Sequence, residues 1–168
     1  MMAPFYGIPA HGSNEFKKVM LPENQRYRGG LLGKAALQAM GTTGERNSPV
    51  ERGAYVVRKF LNDRPPPPPP NVPQLDSKNR KLTVSESLEK HNEIAQCRSC
   101  HRKMDPLGLA MENFDTIGRW QNLKGKREKQ LAGVFPDGTQ FSDFNSMKSE
   151  LLKRKEKMVE SIIEALIK

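Results

Sequence analysis

Hydrophobic residues recur at helical spacing in several segments of the chain, and the first of these runs from Pro49 to about Asn62. Ser48 is suited to cap this helix and Glu51 to complete a capping box. Pro49 stands at the first helical position, where a backbone N–H would have no partner within the helix. The apolar positions that share one face are Val50, Ala54, Val57 and Leu61. We therefore predict a helix that packs against the core.

Two further helical regions follow. After Thr83, whose hydroxyl can form a capping box with Glu86, the same spacing returns. The residues on that face are Val84, Leu88, His91 and Ala95. From Asn145 the pattern is helical again, in two short apolar faces separated by the charged run 153–157. We expect that run to be a solvated connection between two C-terminal helices.

Short apolar segments on either side of the sequence Pro136-Asp137-Gly138 predict a β-hairpin over residues 133–141. Residues 115–120 are predicted to form a turn that leads into a short strand. Together with the helical segments, this pattern favours a mainly α fold with one short hairpin.

Residues 65–70 are six consecutive prolines, which can form only a polyproline II segment. One interpretation is a docking ligand for an SH3-like or WW-like partner. The other, which we favour, is a stiff proline-rich strap that links the helix before it to the segment with the two cysteines after it.

Composition and charge limit the classes of partner. Hydrophobic residues make up 36% of the 168, with 13 prolines and 13 glycines, so we expect a small core and much loop. The net charge is +9, but the basic residues are scattered and match no nucleic-acid motif, so we expect no nucleic-acid partner. An acidic redox partner would also suit this charge. Prolines and a glycine interrupt residues 1–10, and no apolar run is long enough to span a membrane.

The two cysteines of the chain lie in the sequence Cys97-Arg98-Ser99-Cys100-His101. This C-x-x-C-H pattern is typical of covalent haem c attachment. On a helical turn the two thiols face the same way and can add to the two vinyl groups of a porphyrin, and the imidazole of His101 can then bind the iron. The sequence therefore predicts one covalently bound haem c.

Two other interpretations of the motif stay open. Cys97 and Cys100 can form a dithiol or a disulfide beside an incidental histidine. A zinc site would need a fourth ligand besides Cys97, Cys100 and His101, from His91 or His11.

Further residues are candidates for contacts with the haem. Pro106 resembles the proline of small cytochromes c whose carbonyl accepts the N–H of the iron-binding histidine. Arg119 and Trp120 are candidate donors to the haem propionates, although Trp120 is equally suited to the core. A second iron ligand from Met111, Met147 or Met158 would favour electron transfer, whereas an open position would permit enzymatic ligand chemistry. Further candidates are Met104, which lies on the side of His101, and His91 and His11.

The order of motifs resembles the large secreted planctomycete-type cytochrome c domain proteins. The motifs are S-P-V-x-R-G, the proline run with N-V-P, L-x-x-H, C-x-x-C-H, D-P-L-G, E-N-F-D, G-R-W and P-D-G. In this chain they occupy residues 48–53, 65–73, 88–91, 97–101, 105–108, 112–115, 118–120 and 136–138. The resemblance therefore covers nearly the whole chain.

The resemblance implies two adjacent C-terminal domains of unknown function, the first of which carries the haem motif. We accordingly expect residues 1–40 to be the tail of a preceding domain with a glycine-rich turn, residues 41–120 to form the haem domain, and residues 121–168 to form a truncated C-terminal domain. Other domains of the parent protein would be its partners. Because haem c is attached outside the cytoplasm, we expect a periplasmic or secreted protein whose export signal lies upstream.

These observations predict a cytochrome c-like helical domain with a proline-rich strap and a short β-hairpin, which serves as an electron-transfer module of a larger exported protein. The alternative is a non-redox scaffold or carbohydrate-associated binding module in which Cys97 and Cys100 form a disulfide. An enzyme, in which a five-coordinate haem acts on peroxide or a small ligand, is the third hypothesis. No catalytic triad, carboxylate pair or nucleotide loop is evident in the sequence.

Overall fold

A computed structural model describes residues 3–8, 12, 15, 17–67 and 83–167 of the chain. The fold is mainly helical, with one two-stranded antiparallel hairpin, as the sequence predicts. The helices are α1 (Ala35–Met40), α2 (Pro49–Phe60), α3 (Val84–His91), α4 (Ala95–Leu109), α5 (Lys126–Lys129), α6 (Phe144–Leu152) and α7 (Lys155–Leu166). The strands are β1 (Gly133–Val134) and β2 (Gln140–Phe141), and two 3₁₀ helices span Glu23–Arg28 and Leu31–Gly33.

The two predicted helix starts are confirmed, and they differ in one detail. The side chain of Thr83 accepts from the backbone N–H of Glu86, and the Glu86 carboxylate accepts from the N–H of Thr83, so α3 begins with a full capping box. Ser48 accepts from the N–H of Glu51. The Glu51 carboxylate, however, is directed towards Arg58 further along α2, whose guanidinium lies 4.0 Å away. The cap of α2 is therefore formed by Ser48 without the reciprocal bond.

Helices α2 and α4 cross in direct backbone contact. A Cβ at Gly53 would collide with the carbonyl oxygen of Met104, and a Cβ at Gly108 would collide with that of Pro49. Because the partner position falls from 108 to 104 as the chain rises from 49 to 53, the two helices run antiparallel. Only glycine allows so close an approach at these two points, and the approach fixes the position of α4.

The core is a cluster of buried side chains from residues 32–151. Its aromatic part is centred on Phe114, whose ring lies edge-on to Phe144 at 5.0 Å and to Trp120 at 5.1 Å. Tyr27 stacks on the indole of Trp120 with ring centroids 4.0 Å apart. Trp120 is therefore half-buried within an aromatic group that joins the first 3₁₀ helix to α6.

Arg52 is a buried cation at the centre of the fold, with 1% of its side chain exposed. Its guanidinium donates to the backbone carbonyls of Gln38, Met111, Phe114 and Asp115 and to the side-chain oxygen of Asn47, at 3.0–3.2 Å. It also lies 3.6 Å from a carboxylate oxygen of Glu112. Arg52 thereby binds the end of α1 to the chain that follows α4.

The hairpin forms where the turn sequence predicts it. Gly138 has φ +89°, and Asp137 accepts from the backbone N–H of Thr139 at 2.9 Å. Arg154, which lies between α6 and α7, donates to the Asp137 carboxylate at 2.7 Å and so ties the hairpin to the C-terminal helices.

Four expectations differ from the structure or lie outside it. The predicted helical face from Val84 to Ala95 is divided between two helices, because α3 ends at His91 and Ala95 begins α4. Residues 115–120 form a turn closed by an isolated bridge between Phe114 and Trp120, and the predicted short strand does not form there. The charged run 153–157 is shorter as a connection than predicted, because α7 already begins at Lys155. Most of the proline-rich strap falls on residues 68–82, outside the described residues.

Candidate functional site

The C-x-x-C-H motif occupies the first two turns of α4 and presents one face of the helix. Cys97, Cys100 and His101 are half-buried, and positions i, i+3 and i+4 lie on the same side of a helix. The residues around them are exposed: Gln96, Arg98, Ser99 and Arg102. The three candidate ligands therefore form a half-open stripe on an otherwise solvated turn.

Both cysteines are free thiols in this structure. The side chain of Cys100 packs against the hydrophobic core, as do those of Phe60 and Leu61 at the end of α2. In this structure Cys97 and Cys100 are therefore a dithiol and do not form the disulfide of the alternative hypothesis.

The imidazole of His101 is held from behind by Asp105, one helical turn further along α4. Its Nδ1 lies 2.9 Å from Oδ1 and 3.2 Å from Oδ2 of that carboxylate. Oδ2 of Asp105 also accepts from the side-chain amide of Asn92 at 3.1 Å. With Nδ1 engaged, Nε2 is the ring nitrogen that His101 can offer to a metal.

A second histidine adjoins this arrangement. The ring of His91, at the end of α3, meets the ring of His101 edge-on with centroids 4.7 Å apart. Burial lowers the pKa of His91 and the neighbouring His101 lowers it further, against the opposing effect of Asp105. His91 is therefore biased towards the neutral imidazole.

Pro106 lies inside α4, and not in a loop after the motif. Its carbonyl accepts from the backbone N–H of Ala110 at 3.1 Å, as in a regular helix, and its ring packs closely against Gly133 of the hairpin. The position expected for the Pro106 carbonyl, behind Nδ1 of His101, is taken by the side chain of Asp105. The physical reason is that a residue four positions after His101 on a helix projects to the same face as His101. A carbonyl inside the helix instead accepts the backbone N–H four residues further on, so it is not free to accept from the imidazole.

Arg119 and Trp120 have other partners in the structure. Arg119 donates to the carboxylate of Asp115 at 3.0 Å, and the indole N–H of Trp120 donates to Asn122 at 2.9 Å. The structure does not bring either donor into a described contact with the motif.

The candidate methionine ligands occupy different environments. Met111 and Met147 are completely buried, and the sulfur of Met111 accepts from the side-chain amide of Gln38 at 3.4 Å. Met158 is half-buried at the wall of an apolar cavity of about 220 Å³, which Phe60 also lines. Met104 is buried in the core, and His11 lies outside the described residues.

The zinc interpretation finds no support in the geometry of the described residues. Within residues 3–8, 12, 15, 17–67 and 83–167, no three histidine, cysteine, aspartate or glutamate side chains are placed so that they could share a metal ion. A structural zinc site needs four such ligands in a tetrahedron.

Comparison with known proteins gives one family. A family model described as "Protein of unknown function (DUF1588)", with the short name PSCyt3, matches residues 28–124. The matched segment is more than half of the chain and contains the whole of α1–α4. The chain belongs to the PSCyt3 family. This is a planctomycete cytochrome c-type domain family, whose members occur in larger multi-domain proteins.

The PSCyt3 match ends before the hairpin, α6 and α7. No curated protein and no solved structure gives a significant match to this PSCyt3 chain. None of the helices described in it combines the length and the apolarity that a bilayer crossing requires. The division at residues 40 and 120 stays a prediction.

A separate cleft of about 630 Å³ lies at the C-terminal end of α4. It is bordered by Thr83 at the start of α3, by Leu109 and by Arg127. Leu109 follows His101 by eight residues, which is about 12 Å along a helix, so the cleft is distinct from the motif. Glu112 also lines it, and burial raises the pKa of that carboxyl against the opposing effect of Arg52.

Sequence reasoning missed Asp105 and Asn92 as partners at His101, and it named His91 only as a candidate metal ligand. The spacing of four between His101 and Asp105 was a usable signal, but Pro106 argues against a helix through that segment. His91 and Asn92 are brought to the site because α3 folds back on α4, and no local pattern encodes that contact.

Proposed function

We propose that the chain binds one haem c covalently through Cys97 and Cys100, with His101 as the axial ligand of the iron. The observation that carries this proposal is the single half-buried face of α4 on which two free thiols and an imidazole stand together. The donor set suits the group: two thiols can reach one porphyrin edge, and Nε2 of the imidazole remains for the iron.

The two thiols would attach the haem by addition to its vinyl groups, a reaction that needs no further reagent. Each thiol adds across one vinyl group, so a sulfur–carbon bond forms next to the ring and the proton goes to the terminal carbon. When bound, the haem would supply one-electron redox chemistry. The chain would hold and orient it, and the half-open face would leave an edge near the surface for electron exchange.

We propose electron transfer as the role, with an acidic partner. The exposed Arg98 lies within the motif, the exposed Arg102 follows it on α4, and the net charge of the whole chain is +9. Positive charge around an exposed redox centre speeds encounter with a negatively charged surface. Family membership supports a periplasmic or extracellular location, and we propose that the chain acts there as one module of a larger exported protein.

The test is to produce the chain, fused to an export signal, in a host with haem c maturation. We expect a coloured protein whose haem stain survives denaturing electrophoresis, because thioether bonds are not broken by unfolding. The double variant Cys97→Ala, Cys100→Ala should lose the stained band, and Ser99→Ala, which changes one of the two residues between them, should keep it. A wild-type chain that folds and remains colourless would refute the proposal.

A further inference from the structure

The Asp105 carboxylate is the nearest polar group behind the imidazole of His101 among the contacts the structure describes. It has 5% of its side chain exposed and lies 2.9 Å from Nδ1. Both residues stand on α4, four positions apart, so the contact does not depend on a flexible loop.

Asp105 is itself fixed from a second element. The side-chain amide of Asn92, directly after α3, donates to its Oδ2 at 3.1 Å. The neighbouring residues on α4, Met104 and Leu107, are buried in the core and anchor the backbone of this turn. A carboxylate that is buried, oriented by an amide and directed at a ring nitrogen has little freedom to turn away.

A carboxylate in this place differs chemically from a neutral carbonyl. An imidazole that donates its Nδ1 proton to an anion gains negative character on the ring, and its Nε2 becomes a stronger electron donor to a metal. Stronger donation favours the higher oxidation state of an iron bound there, and second-shell hydrogen bonds are among the groups that set haem potentials.

We propose that Asp105 is a positioning residue that holds His101 as the Nδ1–H tautomer and lowers the reduction potential of the iron bound at Nε2. The statement about the tautomer concerns the chain alone. The statement about the potential rests on the proposed haem function.

The first experiment uses the full chain without haem, with its thiols kept reduced. Two-bond ¹H–¹⁵N correlation spectra report which ring nitrogen of His101 carries the proton. We expect the Nδ1–H form to predominate in the wild type and in Asp105→Asn, whose amide oxygen can still accept the proton. In Asp105→Leu we expect the Nε2–H form that is usual for a free imidazole.

The second experiment uses the haem-loaded chain and measures its midpoint potential by optical titration. We expect Asp105→Asn to shift the potential upward, because the anion is lost while the hydrogen bond is kept. The matched control is Asp63→Asn, which removes the same charge from a half-exposed aspartate. Asp63 is paired with Lys103, which lies on α4 between His101 and Asp105. This control should move the potential much less.

The outcomes separate this inference from the proposed function. A wild-type chain without covalent haem refutes the haem proposal and with it the effect on potential, while the spectra of the haem-free chain still decide the tautomer. A wild-type His101 in the Nε2–H form, or equal potentials for Asp105→Asn and Asp63→Asn, would overturn the role of Asp105. Circular dichroism of each variant verifies that it is folded.

Discussion

Gly53 of α2 lies directly against the carbonyl oxygen of Met104 in α4, at a point where no side chain separates the two helices. The contact stands one turn from His101 and thus sets the distance between α2 and the helix that carries the motif. Gly108 makes the matching contact with Pro49 at the other end of the crossing.

Gly53→Ala should therefore destabilise the fold by about 2–3 kcal/mol, because the added methyl must push two backbones apart. Urea denaturation measures the loss. The control is Gly12→Ala, since a Cβ at Gly12 meets no atom of the described residues within 4 Å and should change stability little. Equal stability of the two variants would show that the helices do not cross as described.

Arg52→Lys should destabilise the fold by about 3 kcal/mol, although it keeps the charge. A lysine cannot reproduce the fork of donors with which the guanidinium meets the carbonyls of Gln38, Met111 and Phe114. Arg58→Lys, on the exposed side of the same helix, is the comparison and should be nearly neutral. A thermal melt of both proteins decides the matter, and two unchanged midpoints would contradict the prediction.

Met111→Leu and Met147→Leu should leave the visible spectrum of the haem-loaded chain unchanged, because both side chains are completely buried in the core. Each should lower stability by less than about 1.5 kcal/mol, since leucine has nearly the same volume. Met158→Leu, at a half-buried position, is the comparison. Loss of a sulfur-to-iron absorption band in either buried variant would show that the methionine does reach the iron.

Acid should weaken the link between the hairpin and α7. Hydrogen bonds from the backbone N–H of Thr139 and from Arg154 lower the pKa of Asp137 to about 2. A lowered pKa in the folded state means that the contribution is fully present above the unfolded pKa, near pH 3.8, and is lost as pH falls through 2.

Because this pair is half-exposed, its contribution should be about 1 kcal/mol or less. Asp137→Asn should remove that part of the pH dependence of unfolding between pH 2 and 4 and leave stability at pH 7 slightly lower. The same experiment on Arg154→Met gives the coupling between the two side chains. A slope that survives in Asp137→Asn would assign the acid sensitivity to other carboxylates.

Local sequence determined the elements whose stabilising contacts lie within a few residues. The Thr83–Glu86 capping box needs one turn of chain, the turn of Asp137 and Gly138 needs four residues, and both form as predicted. The common face of Cys97, Cys100 and His101 likewise follows from helical spacing alone. The mainly helical fold could be predicted for the same reason.

Tertiary structure decided the features that depend on distant segments. Pro106 would end a helix by local rules, yet α4 continues through it, since the proline forfeits a single backbone bond and α4 packs along α2 on either side of it. Arginine is usually a surface residue, so the sequence gives no sign that Arg52 is buried. It lies at the centre of the fold because carbonyls from α1 and from residues 111–115 converge on its guanidinium.

The environment of His101 is determined partly by local sequence and partly by tertiary structure. Its spacing to Asp105 is written in the sequence, but the burial of that carboxylate and its contact with Asn92 require α3 to pack against α4. Spacing along one helix fixes which side chains share a face, and only the packing of several helices fixes which of those faces is closed to water and which partners reach it.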